Sequence, residues 1–458
     1  MGNQKLLIIG NGMAGVRCVE EILKHSNDFE ITIIGREPHG NYNRIMLSSV
    51  LQGGTKMNDI MINDMNWYRE NNIHLYTGET VIKINRLKRV VETDSGREIP
   101  YDKMIIATGS TPFMIPLPGV DLEGVMAFRT IEDCEKMVAS AKSYKKATVI
   151  GGGLLGLEAA KGLLHLGMEV DVIHLGSYIM ERQLDKKAAK LLQEELERQG
   201  MNFLLEKQTA RLLGRNRVKW IEFKDGTSVR TDLVVMAVGV RPNIALAQDA
   251  GLEMNRAIIV NDYMQTNDPN IYAVGECVEH RGFVYGLVKP LYEQGVVLAK
   301  HLCNQPTRGY QGTVLSTQLK ISGVDVFSVG QFHDRDDTNN LLLLDESERV
   351  YKKVVFKDDV VVGAVLYGDT KDGSALMKMI QKGENRKKVK ELIINSQKKE
   401  DHFKEMAMSQ AICNCNNVSK GNIIEAVQKK GCSTVEEIKT CTKATGSCGG
   451  CNRWLLSC

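Results

Sequence analysis

A short apolar strand running into a turn of three spaced glycines and then a helix occurs twice in this chain, and no other feature constrains the fold as much. In the first copy Lys5-Leu6-Leu7-Ile8-Ile9 leads into Gly10-Asn11-Gly12-Met13-Ala14-Gly15, with helical spacing from Val16 to Lys24. Gly10 allows the tight turn, Gly12 lets backbone approach a pyrophosphate, and Gly15 lets the helix pack close to the strand. The helix amino terminus offers free N–H groups and the positive end of a dipole to phosphates. A second strand, Ile31 to Ile34, runs into Gly35, and Glu37 lies 22 residues beyond Gly15, which makes it the candidate acceptor for ribose hydroxyls. The pattern returns 141 residues later, with Ala147 to Ile150 as strand, Gly151-Gly152-Gly153-Leu154-Leu155-Gly156 as turn and a helix from Leu157 onward. A single match also fits a glycine-rich turn with no ligand. Two copies, each with a strand before and a helix after, predict two nucleotide-containing ligands.

The chain is long enough for both: 458 residues correspond to about three domains. Its 59 Lys+Arg against 56 Asp+Glu leave a net charge of +3, without the basic excess of a nucleic-acid or anionic-membrane binder. With 43% of residues hydrophobic, the chain is not disordered, and apolar stretches such as Leu233 to Val240 are too short to span a bilayer. The amino terminus reads straight into a strand with no signal-peptide pattern, so a cytoplasmic location is expected. Cysteine usage divides the sequence more sharply. Cys18, Cys134, Cys277 and Cys303 are scattered, whereas the other seven fall in the 46 residues from Cys413 to Cys458, a density that favours metal or cluster ligation.

Tyr101-Asp102-Lys103-Met104-Ile105-Ile106-Ala107-Thr108-Gly109 resembles the second flavin motif of the two-dinucleotide-binding, glutathione-reductase-like flavoproteins. Thr266 to Glu276 is similar to their third motif, where an acid after a glycine hydrogen-bonds the flavin's ribityl or pyrophosphate region. That class usually has Asp, and Glu276 is one methylene longer. The resemblance implies an α/β fold with two Rossmann-type domains. FAD would lie on the first loop, at Gly10, Gly12, Met13, Ala14, Gly15, Glu37, Val81, Ala107, Thr108, Gly109, Gly275 and Glu276. The nicotinamide nucleotide would lie on the second, at Gly151, Gly153, Leu155, Gly156 and Gly239. Glu158 matches a position near nicotinamide and flavin, and also reads as a dipole-stabilised surface carboxylate of the first helical turn. The strand Val170 to Ile173 ends at His174, where an NAD-preferring site commonly has an acid. No arginine cluster follows, and Arg182 is the nearest cation. NADH is therefore expected, with NADPH still open, since a protonated His174 would favour a 2'-phosphate.

Disulfide reductases of this class carry a Cys-x4-Cys pair beside the flavin, in the region that Asn41 to Ser48 fills here without cysteine. The segment resembles the Tyr-x-Arg-x-x-Leu-Ser stretch of rubredoxin-reductase-like enzymes, which places Arg44 and Ser48 beside the flavin; Arg44 also reads as a surface guanidinium. After Tyr310, strands at Thr313 to Gln318 and Val324 to Val329 are expected. A hairpin of Tyr351 to Phe356 and Val360 to Tyr367 around Lys357-Asp358-Asp359 completes the likeness to that group's small α+β third domain. Lys382 to Lys404, with eight Lys/Arg against four Asp/Glu, reads as a solvated helix and linker, or as a contact for an acidic partner.

Cys413-Asn414-Cys415 and Cys448-Gly449-Gly450-Cys451, 32 residues apart with helical stretches at Lys420 to Lys430 and Thr434 to Cys441 between them, are similar to the bacterioferritin-associated-ferredoxin-like module, a helical 2Fe-2S domain. Four thiolates suit such a cluster, and they also suit tetrahedral zinc, although Cys-x-Cys is tighter than the usual zinc spacing. Cys432, Cys441 and Cys458 are left over as ordinary thiols. Over its whole length the sequence resembles the amino-terminal part of NAD(P)H-dependent assimilatory nitrite reductase large subunits and the electron-transfer subunits of assimilatory nitrate reductases. Gly10 to Arg17, Asn41 to Arg44, Met180 to Asp185 and Ala273 to His280 carry that likeness. The nitrite enzymes continue into a sirohaem domain, and this sequence ends seven residues after Cys451. The expectation is therefore electron transfer from NADH through FAD and a 2Fe-2S cluster to a nitrate or nitrite reductase catalytic subunit or a small one-electron carrier protein. A stand-alone rubredoxin- or ferredoxin-type reductase and a non-catalytic redox sensor are the alternatives, and an oligomer is left open. The implied domains are 1–114 plus 245–308 for FAD, 115–244 for NAD(P)H, 309–381 for the small domain, 382–408 as linker and 409–458 for the cluster.

Overall fold

Two parallel five-stranded sheets stand behind the glycine loops, and in each the loop leaves the central strand. The structure, a computed structural model, describes residues 3–313, 316–321, 323–396, 406–413, 416, 418–445, 451 and 455. The first sheet runs in the order Ile271–Ala273, Lys103–Ile106, Gln4–Ile9, Phe29–Gly35, His74–Thr77. The second runs Val125–Ala127, Leu233–Met236, Lys146–Ile150, Glu169–Ile173, Met201–Leu204. The loop strands are covered on both faces, so Leu6 to Ile9 and Ala147 to Ile150 are almost wholly apolar and buried. In both sheets the next strand lies on one side of the loop strand and the returning strand on the other. The loop thus opens at a switch point, where open α/β sheets bind ligands.

Both loop helices start earlier than the spacing suggests, at Met13 rather than Val16 and at Leu154 rather than Leu157; they span Met13–Leu23 and Leu154–His165. The middle glycine of each motif, Gly12 and Gly153, is the N-cap, in extended conformation and with no side-chain acceptor. The first helical N–H groups therefore emerge within the motif itself.

The chain divides into two compact units. One comprises Met1–Arg44, Lys56–Thr111 and Val240–Thr313, the other Ile45–Thr55, Pro112–Gly239 and Val314–Cys458. Ile45–Thr55 thus departs from the flavin domain in which the sequence reading kept it. Its helix, Leu47–Leu51, packs on Leu154–His165: a Cβ on Gly162 would strike Leu51, and one on Gly53 would come within 2.5 Å of His165.

Within the second unit, the carboxy-terminal part begins with an antiparallel sheet in the order Ser316–Ile321, Val324–Gly330, Val360–Tyr367, Val350–Lys357, Asn339–Asp345. The hairpin turn is Asp358-Asp359 at φ 48° and 64°, the two left-handed residues that a right-twisted hairpin favours. The first strand begins three residues later than expected, and Asn339–Asp345 is a strand the sequence reading did not include. Helix Arg386–Ser396 provides the helix expected after Lys382, but one face is not solvated, because Val389 and Ile393 are buried in the core with Phe327, Val354 and Phe356. On the strand Val350–Lys357, Tyr351 donates to Asp185 at 2.7 Å, and buried Lys353 reaches Asp185 at 3.3 Å and Asp334 at 2.9 Å. Asp185 caps helix Lys186–Arg198, so this pair of contacts ties that helix to the small sheet. In the last module, helices Lys420–Lys430 and Val435–Thr442 each begin with a capping box, at Ser419 and Thr434, and are followed by left-handed Gly431 and Lys443. Among the described residues no helix is long and apolar enough to cross a membrane.

Candidate cofactor sites

Gly10 turns at φ +118° and donates its N–H to the Ile34 carbonyl at 2.8 Å. A Cβ there would strike the carbonyl of Ala107, whose own N–H donates to Ile9 at 2.8 Å. A Cβ on Gly15 would strike the Gly10 carbonyl and stand 3.1 Å from the Ala107 Cβ. Packing therefore requires glycine at both positions. Gly12 is different, since a Cβ there would meet nothing within 4 Å. Its missing side chain leaves room beside the helix amino terminus, where Met13 and Ala14 follow, and that is the room a pyrophosphate needs.

Glu37 accepts from the Tyr42 hydroxyl at 2.6 Å on Oε2 and from the Arg44 guanidinium at 2.6 Å on Oε1. Each oxygen keeps acceptor capacity for a ribose hydroxyl. Burial works against the charge of Arg44, but Tyr42 and Glu37, and more weakly Glu276, hold its pKa above the ordinary value. The guanidinium also lies over the Tyr42 ring, 5.5 Å from its centroid, so it is oriented rather than a loose surface cation. A pair that keeps part of its surface in solvent stabilises by about 1 kcal/mol or less, and placement is its larger effect. Thr108 donates its hydroxyl to Asn243 at 2.8 Å, and left-handed Gly109 accepts the Asn243 N–H at 2.9 Å. Glu276, after left-handed Gly275, accepts from Ser110 at 2.6 Å. Val81 opens a strand, with its side chain buried in the core. All these groups belong to the first unit.

The second unit repeats the loop closely. Gly151 turns at φ +126° and donates to Ile173 at 2.8 Å; a Cβ on it would strike the Ala237 carbonyl, and Ala237 donates to Ile150 at 2.8 Å. A Cβ on Gly156 would strike the Gly151 carbonyl, while one on Gly153 would meet nothing within 4 Å. Leu155 is exposed, and Gly239, at φ +111°, accepts the Phe113 N–H at 2.9 Å. Ala237 was absent from the sequence candidates. Its signal was there in Met236-Ala237-Val238-Gly239, which repeats the form of Ile106-Ala107-Thr108-Gly109.

At the end of strand Glu169–Ile173, His174 accepts the Gly152 N–H on Nδ1 at 3.2 Å, and its Nε2 stands 3.0 Å from Glu181. Gly152 thus holds the ring through Nδ1, while Nε2 makes no hydrogen bond although the Glu181 carboxylate stands beside it. The carboxylate beside His174 at the strand end is that of Glu181, a second residue the sequence candidates lacked. Arg182 is exposed. Glu158 lies in the second turn of its helix rather than the first, and is partly buried. Burial pushes its carboxyl up to about 7, opposed by a hydrogen bond with Ser48, whose hydroxyl also reaches the Ile45 carbonyl at 3.1 Å. The dipole-stabilised surface carboxylate is thus replaced by a carboxyl poised to titrate near neutrality.

Of the four expected cluster ligands, Cys413 and Cys451 are described; Cys415 and Cys448 lie outside the described residues, as does Cys458. Cys413 and Cys451 are buried in one apolar cluster with Val418, Ile423 and Ile438. Cys451 accepts the Thr445 N–H on its sulfur at 3.2 Å, the kind of bond that tunes iron–sulfur potentials. The thiol donors and this N–H fit a thiolate-bound cluster. Among the described residues alone, no group of three or more His, Cys, Asp or Glu side chains is placed to hold a metal.

Residues 4–297 match the pyridine nucleotide-disulphide oxidoreductase family, 316–384 the rubredoxin NAD+ reductase C-terminal domain, and 411–455 the BFD-like [2Fe-2S] binding domain. The chain is 57% identical to the nitrite reductase [NAD(P)H] of Bacillus subtilis over 98% of this chain and 57% of that protein. It is 53% identical to the assimilatory nitrate reductase electron transfer subunit of the same organism, over 98% of this chain and 59% of the other. The chain therefore spans less than two thirds of either curated relative. The crystal structure of NADH:rubredoxin oxidoreductase from Clostridium acetobutylicum superposes with a TM-score of 0.73 at 28% identity, covering 86% of this chain and all (100%) of that one. FAD, a nicotinamide nucleotide and a 2Fe-2S cluster are the cofactors this set of domains takes. The chain belongs to the pyridine nucleotide-disulphide oxidoreductase family, as an NAD(P)H-dependent flavoprotein oxidoreductase whose two dinucleotide folds are followed by a rubredoxin-reductase-type domain and a 2Fe-2S domain.

Proposed function

We propose that this chain carries electrons from NADH through FAD to its 2Fe-2S cluster and on to the catalytic part of a nitrite or nitrate reductase, in the cytoplasm. The observation that carries this reading is the joining, in one chain, of two glycine loops with the same open middle glycine to a cysteine module similar to a [2Fe-2S] domain. The segment Asn41 to Ser48 holds no dithiol, which leaves the cluster as the exit. FAD, when bound, supplies the passage from a two-electron hydride to one-electron transfer. The chain's residues do the positioning. The open space at Gly12, the Glu37 carboxylate with Tyr42 and Arg44, and Glu276 with Ser110 would hold FAD; Gly153 and Gly239 would hold the nicotinamide nucleotide beside Glu158 and Ser48. Cys413, Cys415, Cys448 and Cys451 would hold the cluster. Likeness to NADH-rubredoxin oxidoreductase of Clostridium acetobutylicum, at 30% identity over 95% of that protein, favours a second reading in which a small one-electron carrier protein is the acceptor.

Glu181 sets the expected preference for NADH, because a 2'-phosphate would meet a carboxylate with no cation clamp. Protein purified without air should contain FAD and iron and show flavin and cluster bands in its visible spectrum. NADH should bleach both sets of bands at lower concentration than NADPH does. Zinc in place of iron, or equal efficiency with NADPH at neutral pH, would contradict the assignment.

A further inference from the structure

Cys432 and Cys441 are the described cysteines of the last module to which the cluster reading gives no role. Their sulfurs are 3.0 Å apart, about 1 Å longer than an S–S bond. Each belongs to a segment held by its own cap. Cys432 follows left-handed Gly431 and donates its N–H to Ala426 at 3.1 Å, while Cys441 sits in the last turn of the helix that Thr434 and Glu437 cap. Little backbone movement separates the two thiols from a covalent bond. Their exposure is unequal: Cys432 is buried in the module's core, and Cys441 is exposed. Cys441 forms part of the wall of a cavity of about 280 Å³, together with Asn416, Asn422, Glu425, Lys430 and Thr442. One wall thus offers a cation, an anion and amide groups beside an exposed sulfur.

We propose that Cys432 and Cys441 form a reversible redox dithiol that exchanges with a small zwitterionic disulfide admitted to this cavity. The exposed Cys441 sulfur, as thiolate, attacks one sulfur of the small disulfide RSSR; a Cys441–S–S–R bond forms and RS⁻ leaves. Cys432 then loses its proton to solvent and attacks the Cys441 sulfur, forming the Cys432–Cys441 bond and releasing the second RS⁻. Two protein thiols are oxidised, one RSSR is reduced to two RSH, and the protons lost by the protein are taken up by the released thiolates. Excess small thiol drives the same steps backward. A bond with one exposed sulfur is open to that reversal, which marks a switch rather than a permanent staple.

Full-length holoprotein should be incubated without air with glutathione disulfide, its free thiols alkylated, and its peptides mapped. The proposal expects a Cys432–Cys441 cross-link, loss of both as alkylation sites, reversal by dithiothreitol, and cluster absorbance unchanged. Cys432→Ser should leave glutathione trapped on Cys441, and Cys441→Ser should leave Cys432 unmodified. Alkylation of both cysteines in the treated wild type overturns the proposal. So does glutathione that stays on wild-type Cys441, or a cross-link to another cysteine that forms as the cluster bands vanish. Metal analysis of the same sample reports separately on the cluster, so failure of the 2Fe-2S reading and failure of the dithiol are distinguishable.

Discussion

The two glycine loops share one backbone and differ in which residue fills the space between the loop and the next strand. In the first, the residue after the leading glycine is Asn11 and the strand ends at Gly35, where a Cβ would stand 2.7 Å from the Asn11 Cβ. In the second, the residue after the leading glycine is Gly152 and the strand ends at His174, whose Cγ would lie 2.9 Å from a Cβ on Gly152. Large and small have exchanged places. Asn11 is fixed by the Tyr68 hydroxyl at 2.8 Å and by the His39 carbonyl at 3.1 Å; His174 is held by the Gly152 N–H, with the Glu181 carboxylate beside its Nε2. One supersecondary unit is thus locked by an amide from the loop in one copy and by an imidazole from the strand in the other. The acid near the strand end changes with it, from Glu37 to Glu181.

The comparison separates glycines that serve packing from those that serve a ligand. Gly15→Val should prevent the first unit from folding stably, since its branches press on the Gly10 carbonyl and Ala107, whereas Gly12→Val should fold and lose its yellow colour. Thermal unfolding and bound flavin measured on both variants check this, and stoichiometric FAD in Gly12→Val would break the distinction. The next effect is smaller. Glu158→Gln removes a carboxyl whose folded pKa is raised to about 7 by burial. A raised acid contributes stability that is full below its unfolded value, near 4.5, and is lost as pH rises through about 7. Wild type should therefore lose stability relative to Glu158→Gln between about pH 5 and about pH 8, by on the order of 3 kcal/mol at most. Parallel urea unfolding curves for the two proteins at both pH values would show instead that Glu158 does not titrate there. Smallest is the exchange of partners itself. Gly152→Asn should crowd His174 and slow flavin reduction by NADH by roughly 10- to 100-fold, the scale of a ~1–3 kcal/mol overpacking cost, and His174→Gly in the same chain should restore most of it. No rescue in the double variant would mean that the two positions do not compensate.

Much of this architecture was legible because the governing interactions are local. Strand, glycine turn and helix are adjacent in sequence, and the hairpin around Lys357-Asp358-Asp359 carries its own turn chemistry. What escaped depends on contacts between distant segments. Ile45–Thr55 reads as part of the flavin domain until Leu51 meets Gly162, and Val389 and Ile393 read as part of a solvated basic helix and linker until the small sheet supplies their core. Asn339–Asp345 was missed because Leu341 to Leu344 is a continuous apolar run with no alternation to mark a strand. At the sites, the motif glycines were readable, but Glu181 was not, because it reaches the strand end only through His174. Ala237 was visible only to a comparison of the two copies with each other.

The central claim is that electrons leave through the cysteine module, and Cys448→Ser tests it most directly. Anaerobic protein mixed with NADH should show flavin bleaching in both wild type and variant, since the nucleotide loops and Cys448 fall in different matched domains, 4–297 and 411–455. Only wild type should then develop the paramagnetic signal of a reduced 2Fe-2S cluster and reduce a one-electron protein acceptor. A variant that has lost the signal and still feeds the acceptor at the wild-type rate would contradict the account, placing the cluster off the route and the exit at the flavin.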